Sequence, residues 1–212
     1  MSRFFVGMTG ASGTLYAERL VQALVQHGHQ VDLALSPAAV KVLNYERGFK
    51  AGDNAESLAS CLADWLGKEV AKDIRSFGCD AVEAPASSGT AGIAAVILCP
   101  CSMGTLARVA AGYSSNLVER AADVALKERR ELVLVPRETP LSEIHLENML
   151  RLRRMGAVIL PAMPGFYHKP QTVFELVDHV VGKILDTLKL EHSVGARWGA
   201  QKRPDGMQDP GA

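Results

Sequence analysis

Aromatic residues are scarce in this 212-residue chain, 6% of the total with two tryptophans, and neither sign of charge is in excess: 23 lysines and arginines face 23 aspartates and glutamates. Such a balance leaves no electrostatic footprint for a nucleic acid and leaves room for a small anionic ligand held by a few local cations. Long apolar runs are missing too. No stretch approaches the roughly 20 residues needed to cross a bilayer, and the amino terminus has no basic-then-apolar leader. The expectation is a cytoplasmic protein with no membrane association. Cysteine is limited to Cys61, Cys79, Cys99 and Cys101, too few and too scattered for a disulfide framework in a chain this long. The thiols are expected to be reduced.

What is present is an alternation. Short apolar runs, "RFFVGM" (3–8), "HQVDLALS" (29–36), "AAVILCP" (94–100), "ELVLVP" (131–136) and "GAVILPA" (156–162), read as strands buried on both faces. Between them the periodicity predicts helices at 14–27, 37–46, 55–66, 103–111, 116–129, 142–154 and 171–189. Strand, helix, strand in this order implies an α/β domain, a parallel sheet with helices on both faces, over residues 1–198. "DIRSF" (73–77) adds a short strand in a less regular region. The tail 199–212, polar and rich in glycine and proline, is expected to be disordered. No internal repeat and no mid-chain linker is evident.

In an open parallel sheet, ligands bind beyond the carboxyl ends of the strands. Those positions are polar here: Thr9, Gly10, Ala11, Ser12 and Gly13 after the first run, Ser36 after the second, Ser102, Met103, Gly104 and Thr105 after "VILCP", then Arg137 and Glu138. "TGASG" is read either as a plain tight turn or as an anion site, with helix-start amides and the Ser12 hydroxyl donating. Its spacing is neither GxGxxG nor GxxxxGK[ST], which disfavours a dinucleotide or a nucleoside triphosphate. In "CPCS", one residue between two cysteines is poor metal spacing and no second pair completes a ligand set, so no metal is expected. Ser102 and Thr105 make a second anion or ring-edge contact instead.

The densest charge lies in 116–140. Arg120 and Lys127, seven apart, share a helix face, whereas Arg129 and Arg130 read as a solvated helix end. Tyr167, in "PGFYHKP", is either a packed turn aromatic or a hydroxyl donor to phosphate. His145 follows Ser142, a helix cap, and reads as ordinary helix surface.

"MTGASG", "PCSMGTL", "NLVERAADVALKERRELVLVPRETPLSEIHLENMLRL", "GAVILPAMPGFYHKPQ" and "RWG" together resemble the flavin prenyltransferases, the UbiX family, from the first strand to Trp198. The resemblance implies a flavodoxin-like Rossmannoid fold, a homododecamer with active sites between subunits, and metal-free transfer of a dimethylallyl group from dimethylallyl monophosphate to N5 and C6 of reduced FMN. The product, prenylated FMN, would serve UbiD-type decarboxylases, with a link to ubiquinone biosynthesis. By matched position, Gly10, Ala11, Ser12 and Ser36 would hold FMN, with Ser102, Met103, Gly104, Thr105 and Arg137 on its other side. Glu46, in "NYERG", would lie near the flavin edge. Lys127, Tyr167 and Lys183 would bind the donor phosphate with support from Arg120, Glu138 would manage protons, and Trp198 would steady the allyl cation.

Three features depart from the family pattern. Lys183 stands where arginine is usual, "ASSG" (86–89) replaces "ASGS", and the region "CDAVEAP" (79–85) lacks an aromatic found in some relatives. Rival readings are an FMN-dependent decarboxylase of a cysteine-derived substrate, whose "PASANT" pattern "PASSGT" (85–90) partly matches, the aromatic acid decarboxylase of older naming, and a non-catalytic flavin-binding subunit.

Overall fold

The computed structural model describes residues 1–52 and 54–195. Its strands are β1 (Arg3–Met8), β2 (Gln30–Leu35), β3 (Ile74–Phe77), β4 (Ile93–Cys101), β5 (Glu131–Pro136) and β6 (Val158–Ile159). They form one sheet in the order β3-β2-β1-β4-β5-β6, every adjacent pair parallel. The helices are α1 (Thr14–Gln26), α2 (Pro37–Arg47), α3 (Ala55–Leu66), α4 (Lys68–Ala71), α5 (Met103–Ala110), α6 (Leu117–Lys127), α7 (Glu143–Arg154) and α8 (Val173–Thr187).

The apolar runs become strands because both faces are covered. Successive side chains point to opposite sides, so Phe4, Val6 and Met8 enter one core with α1, α2, α3 and α8, while Phe5 enters another with α5, α6 and α7. Gly7 permits the second layer to come close: a Cβ there would lie 2.8 Å from side-chain atoms of both Leu98 and Val118. Asp32, fully buried on β2, is neutralised by a two-pronged Arg75 contact (2.8 and 2.7 Å) and by Arg3 at 2.9 Å. A buried carboxylate is tolerated when paired in this way.

β6 is shorter than the expected strand at 156–162. The chain still follows β5, with Leu160 N–H donating to Leu134 O and Ala162 N–H to Pro136 O, but Pro161 has no N–H and interrupts the ladder. The short α4 and a 3-10 turn at Pro85–Ser87 are additions to the expected elements. The tail 199–212 and Trp198 lie outside the described residues.

The chain leaves β1 toward β2 in one direction and, after β3, returns beside β1 as β4 before running outward to β6. Strand order therefore reverses between β1 and β4. A crevice opens there at the carboxyl ends, where doubly wound folds bind ligands.

Candidate active site

Thr9, the first residue after β1, ties the crevice together. Its buried hydroxyl donates to Pro100 O at 3.0 Å and accepts from Ser102 N–H at 2.6 Å. Ser36 N–H donates to Met8 O at 2.9 Å, bringing in the end of β2. From the end of β5, Arg137 reaches past β4 and its Nε donates to Ser12 O at 3.2 Å. Gly10, Ala11, Ser12, Ser36, Ser102, Met103, Gly104, Thr105 and Arg137 thus gather at the switch point. Glu138 follows, one oxygen accepting from the Thr139 N–H. Gly10 sits against α2, where a Cβ would come within 2.7 Å of Ala38 Cβ.

The opening turn does bind an anion, but the anion is the protein's own. Glu46, near the end of α2, accepts from Gly13 N–H (3.0 Å), Thr14 N–H (2.9 Å) and the Thr14 hydroxyl (2.8 Å). Partial burial works against its ionisation, yet hydrogen bonds from the Ser12 and Thr14 hydroxyls and the Thr14 and Gly13 amides outweigh it and hold the carboxyl below its ordinary range. The amides expected to meet an external anion are therefore engaged. At the start of α5 the cap is local: Ser102 Oγ accepts from Thr105 N–H at 3.4 Å and donates to Thr105 Oγ1 at 3.2 Å. This second helix start, with the hydroxyls of Ser36, Ser102 and Thr105 and the Arg137 cation, suits a phosphate-bearing flavin. Nearby, a groove of about 370 Å³ lies between Pro37, Asn54, Asp80, Ser115 and Asn116.

The expected donor-phosphate residues do not converge within one chain. Lys127 ends α6, exposed and paired with Glu128 at 2.6 Å, while Arg120 pairs with Asp123 at 2.8 Å. The six residues of β5 rise about 20 Å, with Lys127 before one end and Arg137 at the other. Arg130, just past α6, donates to Gly89 O in the loop leading to β4. Tyr167 and Lys183 lie instead with α8, on the other face of the sheet. Tyr167 Oη meets His179 Nε2 at 3.0 Å. Lys183 is 3.8 Å from Asp186 and lines, with His179, Leu160 and Met163, a cavity of about 600 Å³ beside β6.

Residues 191–195 run back along α8. A Cβ on Gly182 would come within 2.6 Å of Val194 O, and one on Gly195 within 2.7 Å of Asp178 O. Cys99 and Cys101 are fully buried in opposite cores, where they cannot share a metal ion. Burial pushes the Cys101 thiol up to about 12 and raises Cys99 as well. His145 is structural: Nδ1 accepts from Ser142 N–H at 3.2 Å in a capping box.

Residues that composition and spacing did not single out also shape the site. Glu119, fully buried, binds Arg108 and the Ser115 amide and hydroxyl (3.0 and 2.8 Å), fixing the turn into α6. Glu18 holds Arg47 and the Trp65 indole N–H, steadying the end of α2 that carries Glu46.

Residues 1–198 match the Flavoprotein family, which places the chain among the flavoproteins. Curated relatives place it more finely. The flavin prenyltransferase UbiX of Pseudomonas aeruginosa is 50% identical over 199 residues, 94% of this chain and 95% of its own length. That of Alkalihalophilus pseudofirmus is 47% identical over 194 residues, 92% and 94%. The chain belongs to the UbiX family of flavin prenyltransferases. Among solved structures, AnUbiX in complex with FMN and dimethylallyl pyrophosphate has a TM-score of 0.82 at 37% identity, covering 95% of this chain and 99% of that one. A dodecameric FMN-dependent UbiX-like decarboxylase from Escherichia coli has 0.80 at 43%, covering 92% and 98%. The cypemycin decarboxylase CypD, at 16% identity and TM-score 0.55, covering 75% of this chain and 81% of that one, shares the fold alone.

Proposed function

We propose that the protein joins a dimethylallyl group from dimethylallyl monophosphate to N5 and C6 of reduced FMN without a metal. The product would pass to a UbiD-type decarboxylase. The observation that carries the reading is the 50% identity, across nearly the whole chain, to a curated flavin prenyltransferase. Reduced FMN, when bound, supplies the nucleophilic N5 and the ring carbon that closes the new ring.

The chain's own residues do the rest. Ser36, Ser102 and Thr105, with the Met103 and Gly104 amides, would receive the flavin phosphate at the α5 start. Gly10, Ala11 and Ser12 form a wall, and Arg137 holds that wall through Ser12 O. Glu46 fixes Ser12 and the first turn of α1. Breaking the allylic C–O bond leaves positive charge on carbon and negative charge on phosphate. Arg120, Lys127, Lys183 and the Tyr167 hydroxyl would oppose the latter. Glu138, beside Arg137, or the released phosphate would take the proton lost on ring closure.

Because Ser12 and Lys127 occupy opposite ends of the sheet, these groups meet only when neighbouring copies supply some of them. The E. coli relative is dodecameric, and a homododecamer with sites between subunits is the assembly we propose. No helix among the described residues is long and apolar enough to cross a membrane; the cytoplasm is the compartment we propose.

Incubating the protein with reduced FMN and dimethylallyl monophosphate, with chelator present, should yield a flavin heavier by one five-carbon unit in the mass spectrum. A parallel incubation with the diphosphate separates the two donors. Unmodified FMN with both would overturn the reading.

A further inference from the structure

His179 belongs to none of the residues assigned above, yet it stands behind the phenol proposed to meet the donor phosphate. Three contacts define its state. The Gly165 N–H donates to Nδ1 at 3.2 Å, so that nitrogen presents a lone pair and carries no proton. In a neutral imidazole the proton then sits on Nε2. Nε2 lies 3.0 Å from Tyr167 Oη, and with this tautomer it is the donor and the phenol oxygen the acceptor.

We infer that His179 is a positioning residue for the prenyl donor: it fixes the polarity of the Tyr167 hydroxyl so that the phenolic hydrogen is directed away from His179 and given to an oxygen of the donor's phosphate. A phenol on a neutral acceptor would turn its hydrogen inward and show the phosphate a lone pair. The relay from the Gly165 amide through the imidazole sets the opposite direction.

The surroundings support a neutral ring. His168 stacks on His179 with planes 7° apart and centroids 5.4 Å apart, and both His168 ring nitrogens are buried with no hydrogen-bond partner among the described residues. Partial burial, His168 and Lys183 all lower the His179 pKa. Protonation would also set a new Nδ1–H against the Gly165 N–H. The packing is close: a Cβ on Gly165 would come within 2.9 Å of the Tyr167 ring and 3.2 Å of His179 Nε2.

The inference rests on the proposed prenyl transfer, and the test separates the two. His179→Leu removes the relay. His179→Gln rebuilds it, because the side-chain oxygen accepts from the Gly165 amide and the amide nitrogen can only donate to Tyr167. Calorimetry with dimethylallyl monophosphate on the FMN-loaded protein reads donor binding, and mass spectrometry reads prenylation. Loss of the neutral Nε2–H bond that orients the phenol should weaken donor binding by about fivefold in His179→Leu, while FMN affinity is unchanged and His179→Gln recovers most of the loss. In a Tyr167→Phe background, His179→Leu should cost nothing further. Equal cost of His179→Leu in both backgrounds, no advantage of glutamine over leucine, or no donor binding by the wild type would overturn the inference. Donor binding with this pattern but no prenylated flavin would overturn the proposed reaction and leave the inference standing.

Discussion

Polar groups at the carboxyl end of the sheet and the cations of the outer helices are held in different ways. At the crevice, Thr9, Glu46, Ser102 and Arg137 are bound to partners distant in sequence, so one chain builds the arrangement completely. On α6 and α8, Arg120, Lys127 and Lys183 each pair with an acid no more than three residues away, Asp123, Glu128 and Asp186. Exposed pairs of that kind contribute little and exchange readily for another anion. The polar crevice is thus built within one chain, whereas Arg120, Lys127 and Lys183 stand at the surface on short-range pairs, as the proposed assembly of sites between copies requires.

The strongest test of this contrast separates the two sets of residues. Lys127→Ala should leave FMN affinity within about twofold and lower prenyl transfer about a hundredfold, the scale for removing a group that meets transition-state charge. Ser12→Ala, at the crevice, should also be inactive. If the two groups come from different copies, coexpressing the variants restores wild-type composition at about one site in four. Mixed oligomers as inactive as either parent would place Lys127 and Ser12 in one subunit's site and contradict the geometry of β5.

The next effect lies inside the crevice. Thr9→Val keeps shape but removes the acceptor of the half-buried Ser102 N–H, at a cost of about 1 kcal/mol. Urea denaturation should show the loss, and fluorescence titration should show weaker FMN binding because the start of α5 loosens. An unchanged midpoint with unchanged FMN affinity would mean that the tie between β1 and β4 is not what holds the crevice.

Legibility in the sequence follows the same divide. β1 and β5 are readable to the residue because their apolar runs end in sharply polar positions, and the strand-end rule points to Ser12, Ser36, Ser102 and Arg137, which the fold gathers at one crevice. Partnership was not readable. Nothing local says that Glu46 turns back to Gly13 and Thr14, so a turn with glycine and serine looks open when its amides are already engaged. The lone aspartate in "QVDLAL" is a signal of another kind: a charge in a buried strand demands cations, here Arg3 and Arg75. β6 is shorter than its apolar run because that run contains Pro161, which cannot donate to the ladder. His179 is not legible in the sequence, because four-residue spacing from Lys183 marks a shared helix face and says nothing of Tyr167 folding onto it.

A smaller effect distinguishes the two helix starts. Glu46→Gln keeps an acceptor at α1 but removes the charge, and the exposed position discounts the loss to about 0.5–1 kcal/mol. Its folded-state pKa is lowered, so the ionised carboxylate's contribution is present above the ordinary carboxylate range and is lost as pH falls through the folded value. Denaturation midpoints of wild type and Glu46→Gln should therefore converge on acidification below about pH 4. A gap that stays constant with pH would show that the charge is not what α1 uses.

The smallest change concerns the exchange of Lys183 for arginine. Lysine is a compact point charge, whereas arginine offers a planar fork that can give two parallel N–H bonds to one phosphate. The site has room for the exchange, since Lys183 lines the cavity between β6 and α8 and its Asp186 contact is loose at 3.8 Å. Asp186 also accepts from His192 at 3.1 Å, so that carboxylate keeps a partner if residue 183 turns to the donor. Lys183→Arg should lower KM for dimethylallyl monophosphate about two- to threefold with kcat and FMN affinity little changed. A fall in FMN affinity instead would assign residue 183 to the flavin. No change in either would leave it an exposed helix charge and shift the donor phosphate to Lys127, Arg120 and Tyr167.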